Sequence, residues 1–334
     1  MINRRPVVPK TARSSHVRFP DLLFCRRIAR CGCVAIAFGL LSGRSDGAAI
    51  VDGTKDDSYG EALAVQTVQT QFGDNFTEWN AAYAKIESGT LSVMLTGNLE
   101  SNFNKLEIFI DSKPGGQSIF ASAGNDSAQR MDGLIFDAGF TADYHIIVRR
   151  GSGRFDLDFA DLAAHAFSSH QNVFGGTDAG SGMTGTGVNL TPISVAYDGS
   201  NTGGIVAGTD AADQAAALSV TTGLEFAISL ADLGYTAGPI RIMVGQNGTG
   251  HDFWSNQFLS GLPPPQGNLG SNEMGTFIAG QGAINMQHFA GDQFFVIVPE
   301  PGALSLATLS LPLLLPMKRR RRPAEGVGFE PSVG

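Results

Sequence analysis

Between residues 50 and 298 the chain is built of short runs in which apolar and polar side chains alternate, each run closed by Gly, Asn, Asp or Ser. A period of two sends successive side chains to opposite faces of an extended strand, so such runs read as β-strands with one face toward a core. Leu91, Val93 and Leu95 alternate with Ser92, Met94 and Thr96, and Leu106, Ile108 and Ile110 alternate with Glu107 and Phe109. The pattern predicts strands over 82–87, 90–96, 105–111, 133–137, 144–149, 154–159, 193–198, 224–229, 240–244 and 293–298. Helix is confined to 210–218 and one turn at 230–233. Many short strands with almost no helix imply an all-β fold, a single jelly-roll-like β-sandwich. Three Gly/Ser/Asn-rich stretches, 112–130, 168–190 and 261–282, are expected as long loops. No repeat and no linker interrupts 50–298, which therefore reads as one domain. The 43 Gly and 15 Pro among 334 residues fall below the roughly 25–30% that marks low-complexity chains.

Charge is distributed unevenly. Of 23 Lys/Arg and 31 Asp/Glu, residues 1–49 hold nine and two and residues 299–334 hold five and three. Nine basic and 26 acidic residues remain for 50–298, a net charge of −17. An acidic domain with Arg149 and Arg150 as its only adjacent basic pair is not a nucleic-acid binder, because phosphate contacts need clustered cations. Cys25, Cys31 and Cys33 all precede residue 50. A disulfide scaffold, a thiolate zinc site and a cysteine nucleophile are thereby excluded from the domain.

Both ends read as addresses. Arg26, Arg27 and Arg30 precede an apolar stretch from 31 to 41, and Gly47-Ala48-Ala49 supplies small residues before a cut after Ala49. This order is that of a secretory signal peptide over 1–49, with the Sec translocon and signal peptidase as partners. The first 20 residues exceed what such a signal needs and read as an extended n-region or a wrongly chosen start. At the other end, Pro299-Glu300-Pro301 is followed by an apolar run over 302–317, then Lys318 and Arg319, Arg320, Arg321 and Arg322. This segment, 299–322, resembles the PEP-CTERM sorting signal of Gram-negative bacteria that make extracellular polymer. The resemblance implies that an exosortase recognises the Pro-Glu-Pro and cuts near it. The apolar run would be a hydrophobic helix anchored transiently in the inner membrane, with the arginines on the cytoplasmic side, before transfer to the cell surface or extracellular matrix. The run is short for a span and contains Pro312 and Pro316. The last residues, 323–334, extend past the usual end of the signal and read as a disordered tail or a gene-end artefact.

A second resemblance covers part of the domain. Val51-Asp52-Gly53, Ala82-Tyr83-Ala84, Leu91-Ser92-Val93 and 108–111, with 223–228 leading to Leu233-Gly234, resemble the strand pattern of family-nine-like carbohydrate-binding modules and DOMON-type domains. It implies a β-sandwich that binds extracellular polysaccharide.

The residues themselves offer few chemical motifs. Asp156 and Asp158 share one face of a predicted strand, with Asp161 nearby. They are a candidate Ca²⁺ site, a candidate glycosidase carboxylate pair or a solvated acidic face. Asp52, Asp56 and Asp57 allow a second cation cluster or a free acidic end, and Asp111 either caps a turn or serves a ligand site. Trp79, Tyr83, Phe253 and Trp254 are candidates to stack on sugar rings, with His251 and Asp252 beside the last two, or else they belong to the core. The Gly180–Gly185 match to G-x-G-x-x-G precedes no helix, so it cannot hold a pyrophosphate. Neither a nucleophile elbow nor a zinc-ligand spacing occurs. The expected protein is an exported, non-enzymatic one that needs no cofactor, Ca²⁺ being the one cation the acidic residues suggest. Its domain binds polysaccharide or packs in the matrix; the alternatives are a secreted glycan hydrolase and a structural surface protein without a ligand.

Overall fold

A computed structural model describes residues 48–176, 178–270 and 284–299. The strands are β1 (Ala64–Val65), β2 (Glu78–Glu87), β3 (Thr90–Asn98), β4 (Lys105–Asp111), β5 (Tyr144–Gly151), β6 (Arg154–Asp161), β7 (Ala166–Gly175), β8 (Ala179–Met183), β9 (Ser194–Asp198), β10 (Gly223–Ser229), β11 (Ile240–Asn247), β12 (Trp254–Leu259) and β13 (Phe295–Ile297). They form two antiparallel sheets. The first runs β1-β2-β3-β10-β9-β8; the second runs β12-β11-β4-β5-β6-β7, with β13 also paired to β11. The all-β expectation holds.

The alternation explains which faces meet. Leu91, Val93 and Leu95 of β3 and Phe226 of β10 join Leu106, Ile108, Ile110, Ile146, Leu157 and Phe159 of the second sheet in one buried cluster. The opposite face of the second sheet is covered as well. There Phe109, Ile147, Met243 and Phe258 pack beneath Phe120, Met131, Phe136 and Phe140 from the excursion between β4 and β5, and beneath Phe289 and Phe294. A short 3-10 segment, Asn125–Met131, lies within that cover. A third cluster, Tyr59, Ala81, Tyr83 and Met94, lies on the outer side of β2 and β3, where Ala49 packs against it.

Three predicted elements differ. The stretch over 133–137 is not a strand; Ile135 makes only isolated bridges to Ile119 and Asn285. The stretch over 168–190, expected as a loop, contains most of β7 and all of β8. Both are sheet-edge strands with mostly exposed or half-buried residues, so their composition is polar and glycine-rich. The helix expected from 210 begins at Gln214 as α1 (Gln214–Leu218). Asp213 starts it by accepting from the amides of Ala215 (3.0 Å) and Ala216 (3.2 Å) through Oδ1.

One backbone irregularity bends the start of β2. The β2–β3 register shifts between Trp79 and Ala81, leaving Asn80 as an extra residue opposite Gly97 and Thr96. Gly97 has φ +141°, and a Cβ there would strike the Glu78 carbonyl. Gly89, at the tip of the same hairpin, has φ +81° and open space around it. Gly97→Ala should therefore cost about 2 kcal/mol or more through collision and strain, and Gly89→Ala about 1 kcal/mol through φ alone. Equilibrium denaturation of the two variants checks the ratio.

Candidate functional site

The extended segment 65–72 reads Val-Gln-Thr-Val-Gln-Thr-Gln-Phe. It crosses one end of the fold beside β12, held by isolated bridges from Val68 to Ala211 and Thr70 to Ala207. Side-chain amides secure it, because each carries both donors and an acceptor. Gln257 Oε1 accepts from Gln66 Nε2 (3.2 Å) and from the Trp79 amide (3.2 Å). Asn256 Nδ2 donates to the carbonyls of Gln69 (2.7 Å) and Gln266 (2.8 Å), and its Oδ1 accepts from the Gln71 amide (3.1 Å). Asn268 Nδ2 donates to the Gln71 carbonyl (3.2 Å), while Gln71 Oε1 accepts from the Asn268 amide (2.9 Å).

These bonds leave a groove of about 480 Å³ lined by Thr70, Gln71, Gly73, Asp74, Gly208 and Asn268 among others. Phe72, between two lining residues, stacks on Phe253 with centroids 6.1 Å apart and planes at 16°. Phe253 is 38% exposed and Phe76 is 65% exposed. Among the described residues, neither the Gln71 Nε2 nor the Asp74 carboxylate has a hydrogen-bond partner. The groove thus presents one free donor and one free acceptor beside apolar ring surface.

A second constellation is buried. On the covered face of the second sheet, Glu107 Oε2 accepts from His145 Nε2 (2.8 Å) and Glu107 Oε1 accepts from His251 Nδ1 (2.6 Å). His251 Nε2 donates on to Asp126 Oδ2 (3.3 Å), which also pairs with Lys105 (2.7 Å). Burial opposes charge on Glu107, but His251 and the two imidazole hydrogen bonds outweigh it and lower its pKa to about 2. Burial likewise opposes charge on His251, yet Glu107 and Asp126 raise its pKa to about 9. Asp126, Ser127 and His251 all have positive φ (46°, 66° and 56°). The pairing holds backbone in a conformation that costs energy for non-glycine residues.

Most of the site residues predicted from sequence are committed elsewhere. Asp156 and Asp158 are buried rather than solvated. They face Arg149, at 3.8 Å and 3.1 Å, with Arg154 at 3.1 Å from Asp156. Asp161 lies on the other face of β6 by alternation, and its Oδ1 accepts from the Ala164 amide (2.9 Å) as a turn cap. The three carboxylates therefore do not converge. A guanidinium stands where a cation between Asp156 and Asp158 would sit. Among the described residues no group of three or more His, Cys, Asp or Glu is placed to hold a metal ion.

Trp79 (1% exposed), Tyr83 (3%) and Trp254 (0%) are also buried. Trp79 Nε1 donates to Gln246 Oε1 (2.9 Å) and Lys55 lies over the Tyr83 ring, so none of the three offers a platform to a sugar. Of the aromatic candidates Phe253 alone is exposed. Asp111 pairs with Arg241 (3.3 Å) in a second cleft of about 340 Å³. Asp56 accepts from the Ile50 amide (2.7 Å) and Asp52 from the Thr54 amide (2.8 Å), so the acidic start is tied down. Pro299 lies just beyond β13. The signal segment before Ala48, the part of the predicted 261–282 loop from 271 onward, Glu300, Pro301, Arg319–Arg322, the C-terminal apolar run and the tail lie outside the described residues. Among the described residues no helix is long and apolar enough to cross a membrane.

Sequence reasoning missed Gln71, Asp74, Asn268 and Phe72, and also Glu107 and His145. The recurrent Gln at 66, 69 and 71 is the one signal that pointed to the amide-held segment. No protein-family model, curated protein or solved structure matches the chain.

The buried charges make stability depend on pH. The His251 pKa is higher folded than unfolded, so its contribution is complete below pH 6.5 and is lost as pH rises through about 9. Glu107 behaves oppositely: its contribution is present above pH 4.5 and lost as pH falls through about 2. Melting temperatures of wild type and His251→Gln should differ most between pH 4.5 and 6.5 and converge toward pH 9; comparing the two subtracts the other titrating groups. Arg149→Ala removes the cation facing buried Asp158 and one of the two facing Asp156, and should cost about 3–5 kcal/mol in chemical denaturation, whereas Asp178→Ala, which removes the exposed partner of Arg150, should cost under about 1 kcal/mol.

Proposed function

We propose that this chain is an exported bacterial surface or extracellular-matrix protein, with residues 50–298 forming a jelly-roll-like sandwich that binds polysaccharide without cleaving it. The observation that carries the binding reading is the groove over Gln71, Asp74 and Asn268, whose polar lining adjoins Phe72, itself stacked on the exposed Phe253. Apolar faces of pyranose rings pack on aromatic side chains, while amides and carboxylates orient the hydroxyls. The groove lining contains one carboxylate, Asp74, whereas glycoside hydrolysis uses a facing pair. Asp156 and Asp158, the pair considered from sequence, are committed to Arg149. These facts favour a binder over a hydrolase.

Delivery is carried by the order of segments in the chain: signal peptide ending at Ala49, domain, Pro-Glu-Pro, apolar run, arginines. The partners are the Sec machinery, signal peptidase and an exosortase. The protein passes through a transient inner-membrane anchor to the cell surface.

Purified full chain should be retained by at least one polysaccharide in a panel and should release no reducing ends from it. Reducing ends would point to the hydrolase, and no retention at all would leave the structural reading. Co-expressed with an exosortase, the chain should lose its C-terminal segment, and Glu300→Ala should abolish the shortening.

A further inference from the structure

Resting on the polysaccharide reading, we propose that the groove selects a neutral, hydroxyl-rich saccharide. Asp74 and Gln71 would be its hydrogen-bonding pair and Phe253, backed by Phe72, its stacking face. An ionised carboxylate only accepts hydrogen bonds, and an amide nitrogen only donates them. Asp74 and Gln71 Nε2 therefore match a ligand that offers hydroxyl donors and oxygen acceptors side by side, which is the surface of a sugar ring. The ring of Phe253 supplies apolar area for the C–H face of that sugar.

The charge of the ligand is argued from where the cations are. The groove lining contains no Lys or Arg. Each of the nine Lys and Arg side chains of 50–298 is already engaged. Lys55 and Lys113 lie over tyrosine rings. Lys85, Lys105, Arg130, Arg149, Arg150, Arg154 and Arg241 pair with carboxylates. A uronate, sulfate or phosphate on the ligand would meet Asp74 with no counter-charge, and like charges placed together disfavour a partner. The site is also pre-formed. Asn256 and Asn268 fix the Gln71 backbone and its Oε1 before any ligand arrives, so little ordering is left to oppose binding.

The test is affinity electrophoresis of the full chain in gels containing dextran, laminarin or galactomannan, all neutral, or alginate, a uronate polymer. Wild type should be retarded by at least one neutral polymer and not by alginate. Phe253→Ala, Gln71→Ala and Asp74→Asn should each weaken that retardation about tenfold or more, with melting temperatures near wild type because Phe253 and Gln71 are exposed and Asp74 is half-buried. Asp74→Lys should lose the neutral polymer and gain alginate. Retardation by a neutral polymer that all the variants keep would place binding elsewhere and overturn the site, while the polysaccharide reading stood. Stronger retention of wild type by alginate than by the neutral polymers would overturn the ligand class. Retention by none of the four would overturn both the site and the reading on which it rests.

Discussion

A carboxylate cut off from water has to find its counter-charge inside the protein, and the second sheet is organised around that requirement. Its strands are apolar toward the cluster shared with the first sheet, but Glu107, His145, Arg149, Asp156 and Asp158 project from the other side. Once Phe120, Met131, Phe136 and Phe140 cover that side, the charges of Glu107, Arg149, Asp156 and Asp158 must all be paired. Isolated buried charges cost several kcal/mol each, whereas paired and hydrogen-bonded ones are tolerated. The pairing draws residues from β4, β5, β6, the 3-10 segment at 125–131 and the turn at 251. Long stretches of irregular backbone are thereby fixed to one sheet, and the positive φ values of Asp126, Ser127 and His251 are the local cost.

The segment beside β12 solves a related problem with neutral groups. Segment 65–72 bonds through its backbone to Asn80, Val206, Gly208, Asp210 and Ala212, and Asn256 and Gln257 of β12, with Asn268 from the stretch after that strand, take up the remaining Gln69 and Gln71 backbone groups. Amides carry out this task without the desolvation penalty of ions. The consequence is a rigid polar floor at the surface, in contrast to the sealed ionic cluster beneath the cover. One arrangement secures the interior; the other leaves atoms free to meet a ligand.

Strands that faced the shared apolar cluster were legible from sequence because Leu91-Val93-Leu95, Leu106-Ile108-Ile110 and Phe155-Leu157-Phe159 keep strict alternation. β7, β8 and β12 were not, since edge position, glycine and amide content remove that contrast. Asp156 and Asp158 show the limit of the rule. Polar residues alternating with apolar ones read as a wet face, yet the long excursion between β4 and β5 returns to cover them. The groove was illegible for a different reason. Gln71, Asp74, Gly208, Phe253 and Asn268 are scattered widely along the chain, and nothing local marks them as neighbours. Tryptophans drew attention as sugar platforms, but large aromatic rings dominate cores, and Trp79 and Trp254 obey that tendency.

The engagement of all nine cations has a further result for the protein outside its own fold. Nine basic residues against 26 acidic ones leave, by formal count, 17 negative charges in excess. Mobile ions from solution must balance them, so the domain carries an ionic atmosphere as a polyelectrolyte does. The distance at which two copies begin to repel is then set by the medium: about 10 Å in 0.1 M salt and about 30 Å in 0.01 M. In a crowded layer such molecules would swell apart as salt falls and draw together as it rises, with no change in any bond within them.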